Sequence, residues 1–333
     1  MLDAILADQI DWMVALQTLT RWLVAAAGAI TRLGNEEFYL FVAPILYWCF
    51  NTRTGLRVGI YLMLSGGVNY ALKIFFAQPR PYWIDPRISA FHTESSFGLP
   101  SGHAQNAAVF WGSFAASARH PAIILLAGLL IFFIGASRII LGVHFISDVV
   151  LGWLTGGLLL YIFLRLEKPL ISWLKRQEVT RQILLIFSGS LFLVGMGVLA
   201  RVIQSEWEMP AEWLANAIAA YPTAAAPDPM ALSGLITNAG AFFGLAIGAL
   251  WTDRRGGFDP GGLAWKRLAR FGLGVIGVAF LWFGLGAIFP RGESLLPYGL
   301  RYLRYTLIGL WVTGMAPWLF VRFKLANLGA PQE

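Results

Sequence analysis

The feature that most restricts this chain is a succession of apolar runs, each approaching the ~20 residues a helix needs to cross a bilayer. Short charged connectors part them. Hydrophobic residues make up 57% of the 333 and charged residues 13%, with 24 Phe and 14 Trp. A soluble domain of this length does not carry so apolar a side-chain set. The pattern predicts an all-α fold, a polytopic membrane helical bundle.

Spans are expected near Glu37–Phe50, Leu56–Phe76, Gln105–Ser117, Ala122–Ile140, Phe145–Leu164, Ile183–Ile203, Leu232–Trp251, Phe271–Phe289 and Tyr302–Val321, about nine in all. Residues 1–35 mix apolar positions with Asp, Gln, Thr and Arg, and read as an amphipathic N-terminal segment on or partly in the membrane surface. Asp3, Asp8 and Asp11 precede any Lys or Arg, unlike a cleaved signal peptide. The basic connector at 165–181 separates an expected membrane core, 36–165, from an accessory transmembrane region, 166–333, packed on that core.

The placement of charge predicts orientation. Arg53, Arg57, Arg119, Arg165, Lys168, Lys175, Arg176, Arg181, Arg254, Arg255, Lys266, Arg267, Arg270, Arg322 and Lys324 fall in one alternating set of connectors, which belongs in the cytoplasm with the C-terminus. The long loop Ala77–Ser101, punctuated by Pro79, Pro81, Pro86, Gly98 and Pro100, then faces the periplasm or a lumen, with the membrane an inner or plasma membrane. The net charge of +7 is spent on topology and forms no basic stripe interleaved with aromatics, so a nucleic-acid partner is not expected. The expected partners are the lipid bilayer and a phosphate-bearing substrate, and a homo-oligomer stays open. The single cysteine, Cys49, excludes an intrachain disulfide framework.

Three polar pieces interrupt the apolar pattern. Lys73 closes one run and is followed by Arg80-Pro81; on its own this is a snorkelling lysine and a loop arginine, or a pair of cations held for function. Pro100-Ser101-Gly102-His103 opens the next run. Ser101 as N-cap and Gly102 behind it offer free backbone N–H groups and the positive helix end, which suit an anion or simply start a helix. Ser137-Arg138, His144 and Asp148 form the third piece. If the stretch is helical, His144 and Asp148 share one face and touch. A carboxylate on one ring nitrogen leaves the other as nucleophile or base, and Arg138 supplies a fork suited to phosphate oxygens. His92 and His120 read as surface residues.

In this order and spacing, K-x6-RP, PSGH and SR-x5-H-x3-D make the chain resemble the phosphatidic acid phosphatase type 2 superfamily. That group spans lipid phosphate phosphatases, undecaprenyl-pyrophosphate phosphatases, glucose-6-phosphatases and soluble haloperoxidases. The resemblance implies a six-helix phosphatase core, here with three or four extra C-terminal transmembrane helices. It implies hydrolysis through a phosphohistidine with no metal and no cofactor. His144 would be the nucleophile, Asp148 its orienting carboxylate and His103 the general acid; Lys73, Arg80, Ser101, Gly102 and Arg138 would hold the phosphoryl oxygens. The chain also contains no acidic cage of the kind that holds a divalent ion.

The substrate stays divided at this point. A lipid or polyprenyl (pyro)phosphate is favoured, for a membrane enzyme whose long loop carries Tyr82 and Trp83. The alternative is a sugar phosphate, suited by Asp85, His92 and Glu94 and by the phrases QPRPYW and NAGAFFGLAIGAL, which resemble the glucose-6-phosphatase branch. A second alternative is a phospholipid binder or transporter without catalysis, since intramembrane charge serves those too.

Overall fold

The computed structural model describes residues 2–329, with the side chains from Asp8 onward. Met1 and residues 330–333, the outer ends of the expected N-terminal and accessory segments, lie outside the described residues, as does the Asp3 side chain. Every regular element among the described residues is a helix. In order come α1 (Leu2–Thr20), α2 (Val24–Thr31), α3 (Glu36–Cys49), α4 (Thr52–Phe76), the short α5 (Pro81–Ile84), α6 (Gly102–Ala118), α7 (Pro121–Ile140) and α8 (Ile146–Lys175). They are followed by α9 (Val179–Ile203), α10 (Ala211–Ala220), α11 (Ser233–Asp253), α12 (Ala264–Ala279), α13 (Leu285–Ile288), α14 (Leu295–Leu310) and α15 (Ala316–Arg322).

Among the described residues, seven stretches are long and apolar enough to cross a membrane: Asp8–Gly34, Thr52–Ile84, Pro121–Ile140, Ile146–Lys175, Val179–Ile203, Ser233–Asp253 and Ala264–Ile288. Six coincide with expected spans. The expected spans at α3 and α6 reach only 14 and 17 residues, short of the usual hydrocarbon thickness. The expected span Tyr302–Val321 falls on α14 and α15, separated by the π-helical turn Trp311–Met315. The seventh stretch lies in the N-terminal segment, whose Asp, Gln and Arg residues masked its length.

Two further boundaries differ from expectation. The stretch 165–175, read as a connector, continues α8 without a break, with Pro169 inside it; a helix absorbs one missing N–H where the surrounding turns remain bonded. Residues 204–230, between two expected spans, contain α10. Its Asn216 donates to the carbonyls of Trp83 at 3.0 Å and Ile84 at 3.4 Å.

The chain divides into two compact units. The first comprises Met1–Phe38, Val68–Ile162 and Met196–Ala231; the second comprises Tyr39–Gly67, Phe163–Gly195 and Leu232–Glu333. The first has a core of Ile10, Met13, Tyr82, Trp83, Phe97, Val143 and Phe145, on which Trp207 and Trp213 pack. This cluster lies beneath the proline-rich segment and ties it to α1 and α10. Gly152 and Gly156 let α8 approach α6 closely: a Cβ on Gly152 would stand 2.7 Å from Ser101 O, and one on Gly156 2.9 Å from Ala108 Cβ. Small residues four apart are the usual means of bringing two membrane helices together.

The second unit centres on Trp48, Cys49, Phe258, Ala316 and Phe320. Pro317 has no N–H, so the carbonyl of Thr313 is left without its helical donor. Thr252 Oγ1 and Tyr47 OH donate to it at 2.6 and 3.1 Å.

Candidate functional site

All the candidate site residues, Lys73, Arg80, Ser101, Gly102, His103, Arg138, His144 and Asp148, lie in the first unit. Pro79 and Pro81 end the helical run of α4, and Lys73, in its last turn, is buried. Its ammonium donates to the carbonyls of Phe97 and of Gly98, the latter at 3.2 Å. Arg80 is also buried. Its guanidinium donates to Ser96 O at 2.6 Å, Phe97 O at 3.0 Å and Val143 O at 2.9 Å. These bonds fold the segment from Ser96 to Gly98 around the two cations. Gly98 is required at the closest approach, since a Cβ there would lie 2.6 Å from Pro79 O and 2.9 Å from Asp148 Oδ2.

Ser101 is the N-cap of α6, its Oγ accepting from Ala104 N at 3.4 Å, and its own N–H donates to Asp148 O at 2.9 Å. Gly102 opens the helix beside Asn69, which bonds Gln105 at 2.9 Å. A Cβ on Gly102 would come within 3.1 Å of Asn69 Oδ1. His103, half-buried in the first turn, has Nε2 2.9 Å from Asn35 Oδ1.

His144 precedes α8 and is not on it, contrary to the helical reading of this stretch. The turn after α7 passes through Gly142 at φ +73°, a left-handed backbone that favours glycine, and α8 begins only at Ile146. The four-residue spacing still produces contact. Asp148, in the first turn, accepts at Oδ2 from His144 Nδ1 and from Phe145 N, both at 3.0 Å. The acid both caps the turn and sets the tautomer, so Nε2 carries the lone pair. That nitrogen lies 3.2 Å from Arg80 Nη1. Burial, then Arg80, Lys73 and Arg138, hold the His144 imidazole well below its usual value, leaving it neutral near pH 7.

Arg138, buried on the last turn of α7, donates to Thr31 Oγ1 at 2.9 Å and pairs with Glu94. Its Nε is buried with no hydrogen-bond partner among the described residues. Glu94 also lies 4.0 Å from Arg80. Burial pushes the Glu94 carboxyl up, but Arg138 and Arg80, with His103 and Lys73 behind them, outweigh it and hold it far below the usual carboxylate range. The site therefore gathers cations about the Glu94 carboxylate, with the Asp148 carboxylate behind His144.

Glu94, Thr31 and Asn35 are members of this cluster to which the sequence motifs do not point. The sequence offers Glu94 only as a partner for sugar hydroxyls. Thr31 and Asn35 belong to the N-terminal segment. The other two histidines lie apart in role: His92 is exposed and His120 caps α7, accepting from Ala122 N at 3.3 Å. Among the described residues, no group of three or more His, Cys, Asp or Glu is placed to hold a metal ion.

Residues 54–172 match the PAP2 superfamily model. Phosphatidylglycerophosphatase B of Bacillus subtilis is 30% identical over 172 residues, covering 48% of this chain and 82% of that protein. The chain belongs to the PAP2 superfamily. It is an integral membrane phosphatase. Its residues 236–328 match a second model, the transmembrane extension of PAP2 superfamily phosphatases, so the C-terminal helices are also shared with PAP2 relatives. Glucose-6-phosphatase 3 of Bos taurus is 25% identical, with 97% of each chain aligned. A crystal structure of a transmembrane PAP2-type phosphatidylglycerolphosphate phosphatase from Bacillus subtilis matches at TM-score 0.43 and 26% identity, over 50% of this chain and 87% of that one.

Proposed function

We propose that this PAP2 phosphatase hydrolyses a lipid or polyprenyl (pyro)phosphate, without a metal, through a phosphohistidine at His144. The observation that carries the reading is the line from Asp148 through His144 to Arg80, with separations of 3.0 and 3.2 Å. It sets a neutral nucleophilic nitrogen against a phosphate-binding cation. In the first step Nε2 attacks phosphorus and the bond to the leaving oxygen breaks, His103 supplying the proton. In the second, water attacks the phosphohistidine, His103 accepts a proton from that water, and the P–N bond breaks. Lys73, Arg80, Arg138 and the N–H groups at the start of α6 neutralise the equatorial oxygens, which is most of what phosphoryl transfer asks of a protein.

Residues 36–165 supply the reacting groups in this proposal. The N-terminal segment lays Thr31 and Asn35 against them, and 166–333 is an accessory region. The pocket opens on the extracytoplasmic side, and the C-terminus is cytoplasmic, following the charge of the connectors.

A second reading, a sugar phosphate, is supported by the alignment with glucose-6-phosphatase 3 along 97% of both chains. Polar groups beyond the cations suit it too: Glu94, Asn35, and Glu36 with Tyr70, whose hydroxyl lies 3.5 Å from the Glu36 carboxylate. Phosphate release by the purified protein in EDTA, from phosphatidate, phosphatidylglycerophosphate, prenyl pyrophosphate and hexose phosphates side by side, tests both. The first reading expects the highest kcat/KM on a lipid or prenyl substrate, and hexose phosphate ahead of all lipids overturns it in favour of the second. Binding of these compounds with no release from any overturns both and leaves a binder or transporter.

A further inference from the structure

In the second unit, a cavity of about 550 Å³ is lined by Trp282, Phe289, Arg291, Arg301 and Arg304, with Gly286 and Pro297 among its walls. Among the described residues lining it, none is acidic; Glu293, two residues beyond Arg291, is not in the lining. Three guanidinium groups lining one hollow in an apolar helical region give it a positive potential that suits an anion.

The local structure is built to hold them there. The chain widens into a π-helical turn at Phe280–Gly284, a device that re-aims side chains and is frequent at functional positions. It places Trp282 edge-on to Tyr305, with ring centroids 5.8 Å apart. The Arg304 guanidinium lies 4.9 Å from the Tyr305 ring centroid and donates to the Tyr305 hydroxyl at 3.3 Å. Arg304 Nε is buried with no hydrogen-bond partner among the described residues. Gly286 leaves room for the fork, since a Cβ there would lie 2.7 Å from Arg304 Nη1. Arg301, one turn earlier on α14, is steadied by Thr237 Oγ1 at 3.3 Å.

The surroundings favour one source of anion. Phe283, in the lining, and Ile288, between the lining residues Ala287 and Phe289, are 74% and 76% exposed, and Leu295 and Leu296 are exposed as well. Exposed apolar side chains of this kind suit acyl chains, while planar forks suit the oxygens of a phosphodiester or phosphomonoester. We propose that this cavity binds the phosphate-bearing head of an anionic lipid, as a site separate from the histidine pair.

The test uses the purified full chain in neutral detergent, with thermal unfolding read against added phosphatidylglycerol, phosphatidylcholine or inorganic phosphate. Phosphatidylglycerol is expected to raise Tm above the phosphatidylcholine control in the wild type. Arg304→Gln is expected to weaken that response by about tenfold in lipid concentration, the loss of one charge-assisted contact, while hydrolysis of a soluble aryl phosphate stays unchanged. An identical phosphatidylglycerol titration in wild type and variant overturns the proposal. A shift reproduced by inorganic phosphate, and lost in the variant, overturns the lipid assignment in favour of a free anion. If Arg304→Gln does not fold, Arg291→Glu, on an exposed loop, carries the same comparison: a weakened response supports the site and an unchanged one overturns it.

Discussion

Glu94 and Arg138 form an ion pair among the cations of the site, and the carboxylate lies also 4.0 Å from Arg80. Two guanidinium groups that would grip a phosphate thus already share an anion from the chain itself. In the proposed mechanism a substrate phosphate would compete with that carboxylate for the two guanidinium groups.

Replacing the charge should therefore tighten anion binding. Glu94→Gln is expected to lower the inhibition constant of inorganic phosphate by about tenfold, one lost competing ionic contact. An unchanged or raised constant contradicts the competition. The same pair contributes stability with a defined sign: because the folded carboxyl is held below its unfolded value of ~4.3, its contribution is complete above that value. It is lost as pH falls through the folded value. The Tm gap between wild type and Glu94→Gln should hold from neutral pH down to ~4.3 and narrow only as pH falls below that value. A gap that closes near neutrality contradicts the assignment.

Asp148→Asn should preserve the fold and slow the chemistry. The acceptor at Oδ2 faces two donors, His144 Nδ1 and Phe145 N, so the amide oxygen can take that place while the charge stabilising a developing imidazolium is gone. The expected loss in kcat is about 10²–10⁴, the upper end being that of the comparable change in a serine triad. Tm within a few degrees of wild type accompanies it; unaltered kcat contradicts the pairing.

His103→Ala should discriminate between leaving groups. If His103 protonates the departing oxygen, alkyl phosphates lose far more rate than activated aryl phosphates, typically by about 10²–10⁴ in all for a general acid. Equal losses on both classes assign His103 to binding, through its contact with Asn35.

Gly98→Ala tests the packing that aligns the acid. A methyl group there meets Pro79 O and Asp148 Oδ2 at once, so the segment holding Lys73 and Arg80 must shift away from Asp148. A misplacement of about 1 Å is enough to cost ~10² in rate. The expectation is a fall in kcat exceeding any change in KM, and wild-type kcat contradicts it.

What the sequence makes legible is chemistry set against an apolar background. Lys73, Arg80 and Arg138 stand out because uncompensated charge in such runs is costly, and Ser101 before Gly102 announces a helix start that α6 indeed has. His144 and Asp148 were paired by helical spacing, yet they meet through the cap of α8, because the same four-residue interval serves a loop residue and a first-turn acid. Glu94 has no such signal, for a carboxylate in a proline-rich segment carries no periodicity and its partners are 44 residues away on α7 and 14 residues back at Arg80. Thr31 and Asn35 were hidden for a related reason: a segment with mixed polarity looks like a surface helix until its contacts are known. The continuation of α8 through Pro169 was illegible because proline and clustered charge signal a break locally.

The phosphohistidine is tested most directly by rapid acid-free quenching of the purified protein during turnover of a ³²P-labelled substrate, followed by denaturing separation. The account predicts label covalently held by the wild-type chain, stable to base and labile to acid, and absent from His144→Ala. Turnover with no covalent label at any quench time, or label persisting in His144→Ala, would contradict it.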